Sequence, residues 1–150
     1  MRFLSRTPIR TFVLYPFLVI IWELIWHQGS INFQPFFLPL LLWGYLQYRW
    51  CGWYRIKHGG GGPGLETPPD RLVSTGPYAY TRNPMYLGHL IFLAGLALTF
   101  QSWSAGIVTV AVAIWFHSRV VGDEKKLAHR LGPAYVEYEK SVKRWLPGLF

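Results

Sequence analysis

The chain has 150 residues, of which 51% are hydrophobic, 18% aromatic and only 15% charged, with one cysteine, Cys51, and a net charge of +8. A soluble domain carries about 25% charged residues and a disordered chain is poor in aromatics, so both classes are excluded, as is a disulfide scaffold. What remains is an all-α integral-membrane protein of single-domain size, 1–150. The basic residues do not gather on one amphipathic face, as nucleic-acid binding requires. They lie between long apolar runs, so the expected partner is a lipid bilayer and no nucleic acid.

The first apolar run covers about 9–26, close to the ~20 residues that a spanning helix needs. Glu23 interrupts it and no small-residue cleavage pattern follows, so it reads as a span and not as a signal peptide. An acid inside a span is a functional candidate by default, and Glu23 stands one turn before His27. The second span is expected at about 33–50, followed by a cytoplasmic loop, 51–83. In that loop Gly59–Gly64 has the composition of a flexible linker. No Gly-Lys-Ser/Thr follows it, so it is not a phosphate loop. The third span is expected at 84–100, starting at Asn83-Pro84, because proline suits the first helical turn. Gly88 and Gly95 share a face with Thr99, a pattern of close helix packing. A fourth span covers 103–121. Short cytoplasmic amphipathic helices then occupy 123–145, with Leu127, Leu131, Tyr135, Tyr138 and Val142 at helical spacing and Gly132-Pro133 as a division.

Charge placement orients these spans. Arg2, Arg6 and Arg10 lie before or at the start of the first; Arg49, Arg55, Lys57, Arg71 and Arg82 run from the end of the second to the start of the third; Arg119 and the remaining cations stand at or beyond the end of the fourth. The turns at 27–32 and 101–102 hold no lysine or arginine. The positive-inside rule then puts both termini in the cytoplasm. Several tryptophans, among them Trp26, Trp50 and Trp103, fall near the expected span ends, as interfacial belts require.

Two clusters carry chemistry. The segment from Leu72 to Gly88 is dense in Gly, Pro and Tyr and leads into a helix N-terminus, which favours an anionic group. Arg82 adds a planar fork suited to carboxylate or phosphate. Beyond the fourth span stand Asp123 and Glu124, with Arg119 one helical turn earlier. An anion-binding end and a cation-binding end suit a zwitterion, such as the amino-acid half of S-adenosylmethionine. Simpler readings stand beside this one. Arg82 would snorkel at an interface, the tyrosines would be belt residues and Arg119 a positive-inside anchor, and the two acids would cap a helix N-terminus through its dipole. His89 and His117 read as packing or interfacial residues.

Leu72 to Gly88 resembles the Gly-x-Tyr … Arg-His/Asn-Pro-x-Tyr-x-Gly signature of the isoprenylcysteine carboxyl methyltransferase family, which is related to the phospholipid methyltransferases. Asp123-Glu124, Leu127, Leu131-Gly132, Tyr135, Tyr138, Val142 and Pro147 resemble its second signature, so the likeness covers about 70–147. The resemblance implies an integral-membrane methyltransferase whose cofactor, S-adenosylmethionine, lies at the cytoplasmic ends of the third and fourth helices, roofed by the C-terminal ones. It implies cofactor contacts from Arg71, Leu72, Val73, Tyr78, Arg82, Asn83, Pro84, Met85 and Tyr86, with Asp123 and Glu124 holding the polar end. It links Arg119, the candidate catalytic residue, to the acceptor. No metal is implied. The acceptor would be lipophilic or amphipathic, either isoprenylcysteine-carboxylate-like or phospholipid-amine-like. Asn83 stands where the carboxyl methyltransferases have histidine, Asp123 is one methylene shorter than their first acid, and only two helices precede the signature. Two alternatives are a membrane reductase of the sterol-reductase type, which would need basic residues such as Arg55, Lys57 and Arg71 around an NADPH phosphate, and a non-enzymatic membrane subunit. Polar and glycine faces also allow a homo-oligomer.

Overall fold

A computed structural model describes residues 6–62 and 64–146, so the expectations on Arg2 and Pro147 lie outside the described residues. Among these, the chain is helical throughout its regular structure and has no strand, in agreement with the all-α expectation. Five helices are numbered here in chain order: α1 (Thr7–Trp26), α2 (Leu38–Gly59), α3 (Pro84–Thr99), α4 (Trp103–Leu131) and α5 (Pro133–Ser141).

α2 opens at Leu38, after a 3-10 turn at Pro35–Phe37, and not at 33; two helix ends also differ from expectation, for one physical reason. α2 does not stop at 50 but continues through Gly59, into the segment expected as loop. α4 does not stop at 121 but runs unbroken to Leu131. In both cases the apolar run ends while the helix goes on as an amphipathic one. Cys51, Arg55 and Gly59 are buried on α2, while Trp53, Ile56 and Lys57 are exposed. Asp123 and Glu124 therefore sit inside a helix, so they do not cap an N-terminus. The break at Gly132-Pro133 is where it was expected. Gly132 takes φ +67°, which an L side chain rarely adopts, and Pro133 opens α5. α3 opens at Pro84, also as expected.

α1 and α4 are long and apolar enough to cross a membrane. A soluble core helix of this composition would be mostly covered, yet only 17% and 22% of their apolar windows are buried. Phe17, Leu18 and Ile25 on α1, and Ile107, Val110 and Ile114 on α4, are exposed, as lipid-facing side chains would be. α3, with 16 residues, is roughly 24 Å long, short of a ~30 Å hydrocarbon core. α2 carries Arg49, Arg55 and Lys57, so its apolar part is interrupted by charge.

The described residues group into two compact units. The first combines the chain up to Leu46 with Gly88–Ile114. Val19, Leu96 and Ala105 form its centre, with Leu41, Ala97 and Phe100 packed against them. Helix backbones approach closely here. A Cβ on Gly44 would lie 2.5 Å from the Phe92 nitrogen, and one on Gly95 would lie 2.9 Å from the Leu40 Cβ. Glu23 is 1% exposed in this unit, and its cost is offset by partners. Ser102 Oγ donates to its carboxylate at 2.6 Å and Ser104 Oγ at 3.3 Å, while His27 Nε2 lies 3.2 Å away. Ser102 Oγ also accepts the Ala105 N–H at 3.1 Å, capping the start of α4. Glu23 thus clamps α1 to the first turn of α4.

Candidate functional site

The second unit comprises Gln47–Leu87 and the chain from Trp115 onward. It contains a cavity of about 640 Å³. The loop after α2 supplies Leu65, Glu66, Leu72 and Val73; the start of α3 supplies Asn83 to Tyr86; α4 supplies Arg119, Asp123, Leu127 and Arg130; α5 supplies Tyr135 and Tyr138. Every expected site residue lines this cavity except Arg71. Arg71 is exposed, and its backbone N–H donates to the Gly59 carbonyl at 2.9 Å.

The two acids differ sharply. Glu124 is 4% exposed and fully engaged. Asn83 Nδ2 donates to its Oε1 at 3.0 Å, Arg82 Nη2 to its Oε2 at 3.3 Å and Arg144 Nε to its Oε2 at 2.8 Å. Arg82 also pairs with Glu139 at 3.4 Å. These bonds hold the segment after α5 against the start of α3, where the Arg82 N–H donates to the Lys143 carbonyl at 3.0 Å and Thr81 Oγ1 to the Arg144 carbonyl at 3.0 Å. Glu124 and Arg82 are therefore a buried latch as well as lining residues. Asp123 is the more open carboxylate. It accepts from the Tyr86 hydroxyl at 3.1 Å, and Arg119 Nε lies 3.6 Å away.

Arg119 faces the cavity from α4, with its guanidinium 6.0 Å from the Tyr86 ring centre and 5.6 Å from that of Trp115. Its Nη2 also donates to the Leu65 carbonyl at 3.4 Å. An arginine steadied by aromatic rings presents a fixed fork to an anionic group.

The glycine segment is not the flexible linker its composition suggested. Arg55, 8% exposed, sends Nη2 to the carbonyls of Gly62 and Thr67 at 3.2 and 3.0 Å, and also to that of Gly64. The Gly61 N–H donates to Asp70 Oδ2 at 2.8 Å. Gly60 and Gly61 adopt φ +73° and +75°, so glycine is needed for the conformation and not for freedom. The loop is wound around one buried guanidinium.

Buried tyrosines close the far side. Tyr138 donates to the Tyr78 carbonyl at 2.6 Å, and the Tyr78 hydroxyl to the Cys51 carbonyl at 3.4 Å. Burial pushes the phenols of Tyr78, Tyr135 and Tyr138 well above their ordinary value, so all three stay neutral. The sequence-based site omitted Arg55, Glu66, Tyr135, Tyr138 and the latch residue Arg144. Arg130, also omitted, was within reach, because Arg119, Asp123, Leu127 and Arg130 recur at helical spacing once α4 is read as one helix.

Residues 41–131 match the model of the phospholipid methyltransferase family. Human protein-S-isoprenylcysteine O-methyltransferase is 35% identical over 78 residues, which is 51% of this chain and 27% of that protein. The enzyme of the same name from Schizosaccharomyces pombe is 30% identical over 78 residues, 51% of this chain and 33% of that one. The nickel-cobalt-cadmium resistance protein NccN of Alcaligenes xylosoxydans is 32% identical over 79 residues, 52% and 37% of the two chains. The matched segment thus spans between 27% and 37% of the length of these relatives. The family match covers well over half of the 150 residues and includes most of the cavity lining; the chain belongs to the phospholipid methyltransferase family.

Proposed function

We propose that the chain is an integral-membrane methyltransferase that takes S-adenosylmethionine in the cavity and methylates a lipophilic or amphipathic acceptor at the cytoplasmic membrane face, with four spans and both termini cytoplasmic. The observation that supports this most is one cavity lined by residues of both signature segments, Leu72 to Tyr86 from the first and Asp123, Glu124, Leu127, Leu131, Tyr135 and Tyr138 from the second. The residues present fit the cofactor. Leu72, Val73, Met85, Leu127 and Leu131 offer apolar wall, and Asp123 offers a partly exposed carboxylate held more loosely than that of Glu124, by the Tyr86 hydroxyl at 3.1 Å, Arg119 at 3.6 Å and Lys126 at 3.9 Å. The bound cofactor supplies a methyl group already activated on a sulfonium, so the protein's task is placement more than proton transfer. Positioning two reactants is worth roughly 7–11 kcal/mol.

In this reading Asp123 holds the ammonium group of the cofactor. Arg119, steadied by Tyr86 and Trp115, orients an anionic acceptor or its phosphate. A carboxylate acceptor is nucleophilic as it stands and needs no base, whereas an amine must first lose a proton. The reductase alternative has less support. Of Arg55, Lys57 and Arg71, only Arg55 lines the cavity, and the relatives named above include O-methyltransferases.

The test is turnover in liposomes with methyl-labelled cofactor, offering a prenylated cysteine carboxylate or phosphatidylethanolamine. Base-labile label in the lipid phase reports a methyl ester, and base-stable label an N-methyl product. No label with either acceptor, from protein that binds the cofactor, would contradict the proposed transfer to these acceptors.

A further inference from the structure

Charge pairing around the cavity singles out one residue. Arg82 faces Glu124 at 3.2 Å, Arg119 faces Asp123 at 3.6 Å, and Arg130 faces Asp70 at 2.8 Å. Arg55 is more deeply buried than Arg119 or Arg130 and also lines the cavity, yet it has no carboxylate within 4.0 Å among the described residues. Its Nη2 donates to three backbone carbonyls, and its Nε is buried with no hydrogen-bond partner among the described residues. A buried cation is costly unless it meets an opposite charge. Carbonyl dipoles offset part of that cost and also hold the guanidinium in the cavity wall, where an anion in the cavity would supply the missing opposite charge.

We propose that Arg55 is the counter-ion for the carboxylate of the cofactor's amino-acid moiety. This rests on the methyltransferase reading above and sharpens it. The opposite sign is present on the same cavity, because Asp123 is a carboxylate whose cationic neighbours, Arg119 at 3.6 Å and Lys126 at 3.9 Å, are looser than those of Glu124. Together the two match a zwitterion, which a lipid carboxylate is not. The assignment also relieves Arg82 of the anion-binding role that its place before α3 suggested, since Arg82 is already paired with Glu124 and Glu139.

The experiment compares S-adenosylhomocysteine with methylthioadenosine, which keeps the nucleoside and lacks the amino-acid carboxylate. Dissociation constants are measured by calorimetry on wild type, Arg55→Met and Arg55→Lys in detergent. Arg55→Met is expected to weaken S-adenosylhomocysteine by at least about tenfold more than methylthioadenosine, the size of a lost charge-assisted bond, with any loss for methylthioadenosine reporting the loosened loop. Arg55→Lys should restore most of the loss. If the methionine variant does not fold, the lysine variant carries the same comparison, with a smaller selective loss expected. Equal weakening of both ligands would overturn the proposal and make Arg55 a holder of the glycine loop alone. Unchanged S-adenosylhomocysteine affinity would overturn it too. Wild-type protein that binds neither ligand would overturn the methyltransferase reading itself, and the proposal with it.

Discussion

Asp123 and Glu124 are neighbours in sequence but opposites in environment. Glu124 carries two guanidiniums and an amide. Its replacement by glutamine leaves Arg82 and Arg144 facing an uncharged group, and breaking a buried pair of this kind costs about 3–5 kcal/mol. Glu124→Gln is therefore expected to lower the thermal midpoint in detergent markedly. Asp123→Asn should leave that midpoint nearly unchanged and weaken cofactor binding by about tenfold, as loss of one charged partner would. Equal destabilisation by both variants would contradict the division of roles. This division was not legible in the sequence. Adjacent acids look equivalent there, and the partners that separate them, Arg82 and Arg144, come from 42 and 20 residues away. Arg55 was hidden in the same way, because a guanidinium before a glycine run looks like a surface charge until the chain folds back over it.

At the scale of elements, legibility followed local chemistry. The starts of α3 and α5 were readable because proline fixes φ at the first turn. The ends of α2 and α4 were not, because an apolar run stops where lipid exposure stops, while the helix continues for its own hydrogen bonds and packing. The glycine face of the third span was readable as close packing, and its partner on α2 was not. That contact makes a paired prediction. An alanine Cβ at position 44 would meet backbone atoms of Phe92 and Gly88 at 2.5 and 2.6 Å, which cannot swing aside. Gly44→Ala is expected to destabilise by about 1–3 kcal/mol, as overpacking does. Gly106→Ala, with nothing within 4 Å of its Cβ, should be neutral or stabilising by up to about 1 kcal/mol. Thermal midpoints that rank the two variants the other way would contradict the packing described.

For the whole molecule, the buried phenols set a pH limit. Tyr78, Tyr135 and Tyr138 ionise near 10 when unfolded, and burial raises them in the fold. The folded state therefore holds these protons more tightly. Stability from this source is complete below pH 10 and is lost as pH rises beyond it. The thermal midpoint should fall progressively on the alkaline side, and Tyr138→Phe should make that fall shallower. A midpoint that declines equally in Tyr138→Phe would remove the phenol from this account.

The central claim is that the cavity of the second unit is a cofactor site for methyl transfer. Calorimetric titration of the detergent-purified protein with S-adenosylmethionine, S-adenosylhomocysteine and NADPH tests it most directly. The account predicts saturable binding of the first two and none of NADPH. Binding of NADPH alone, or of none of the three by a folded sample, would contradict it.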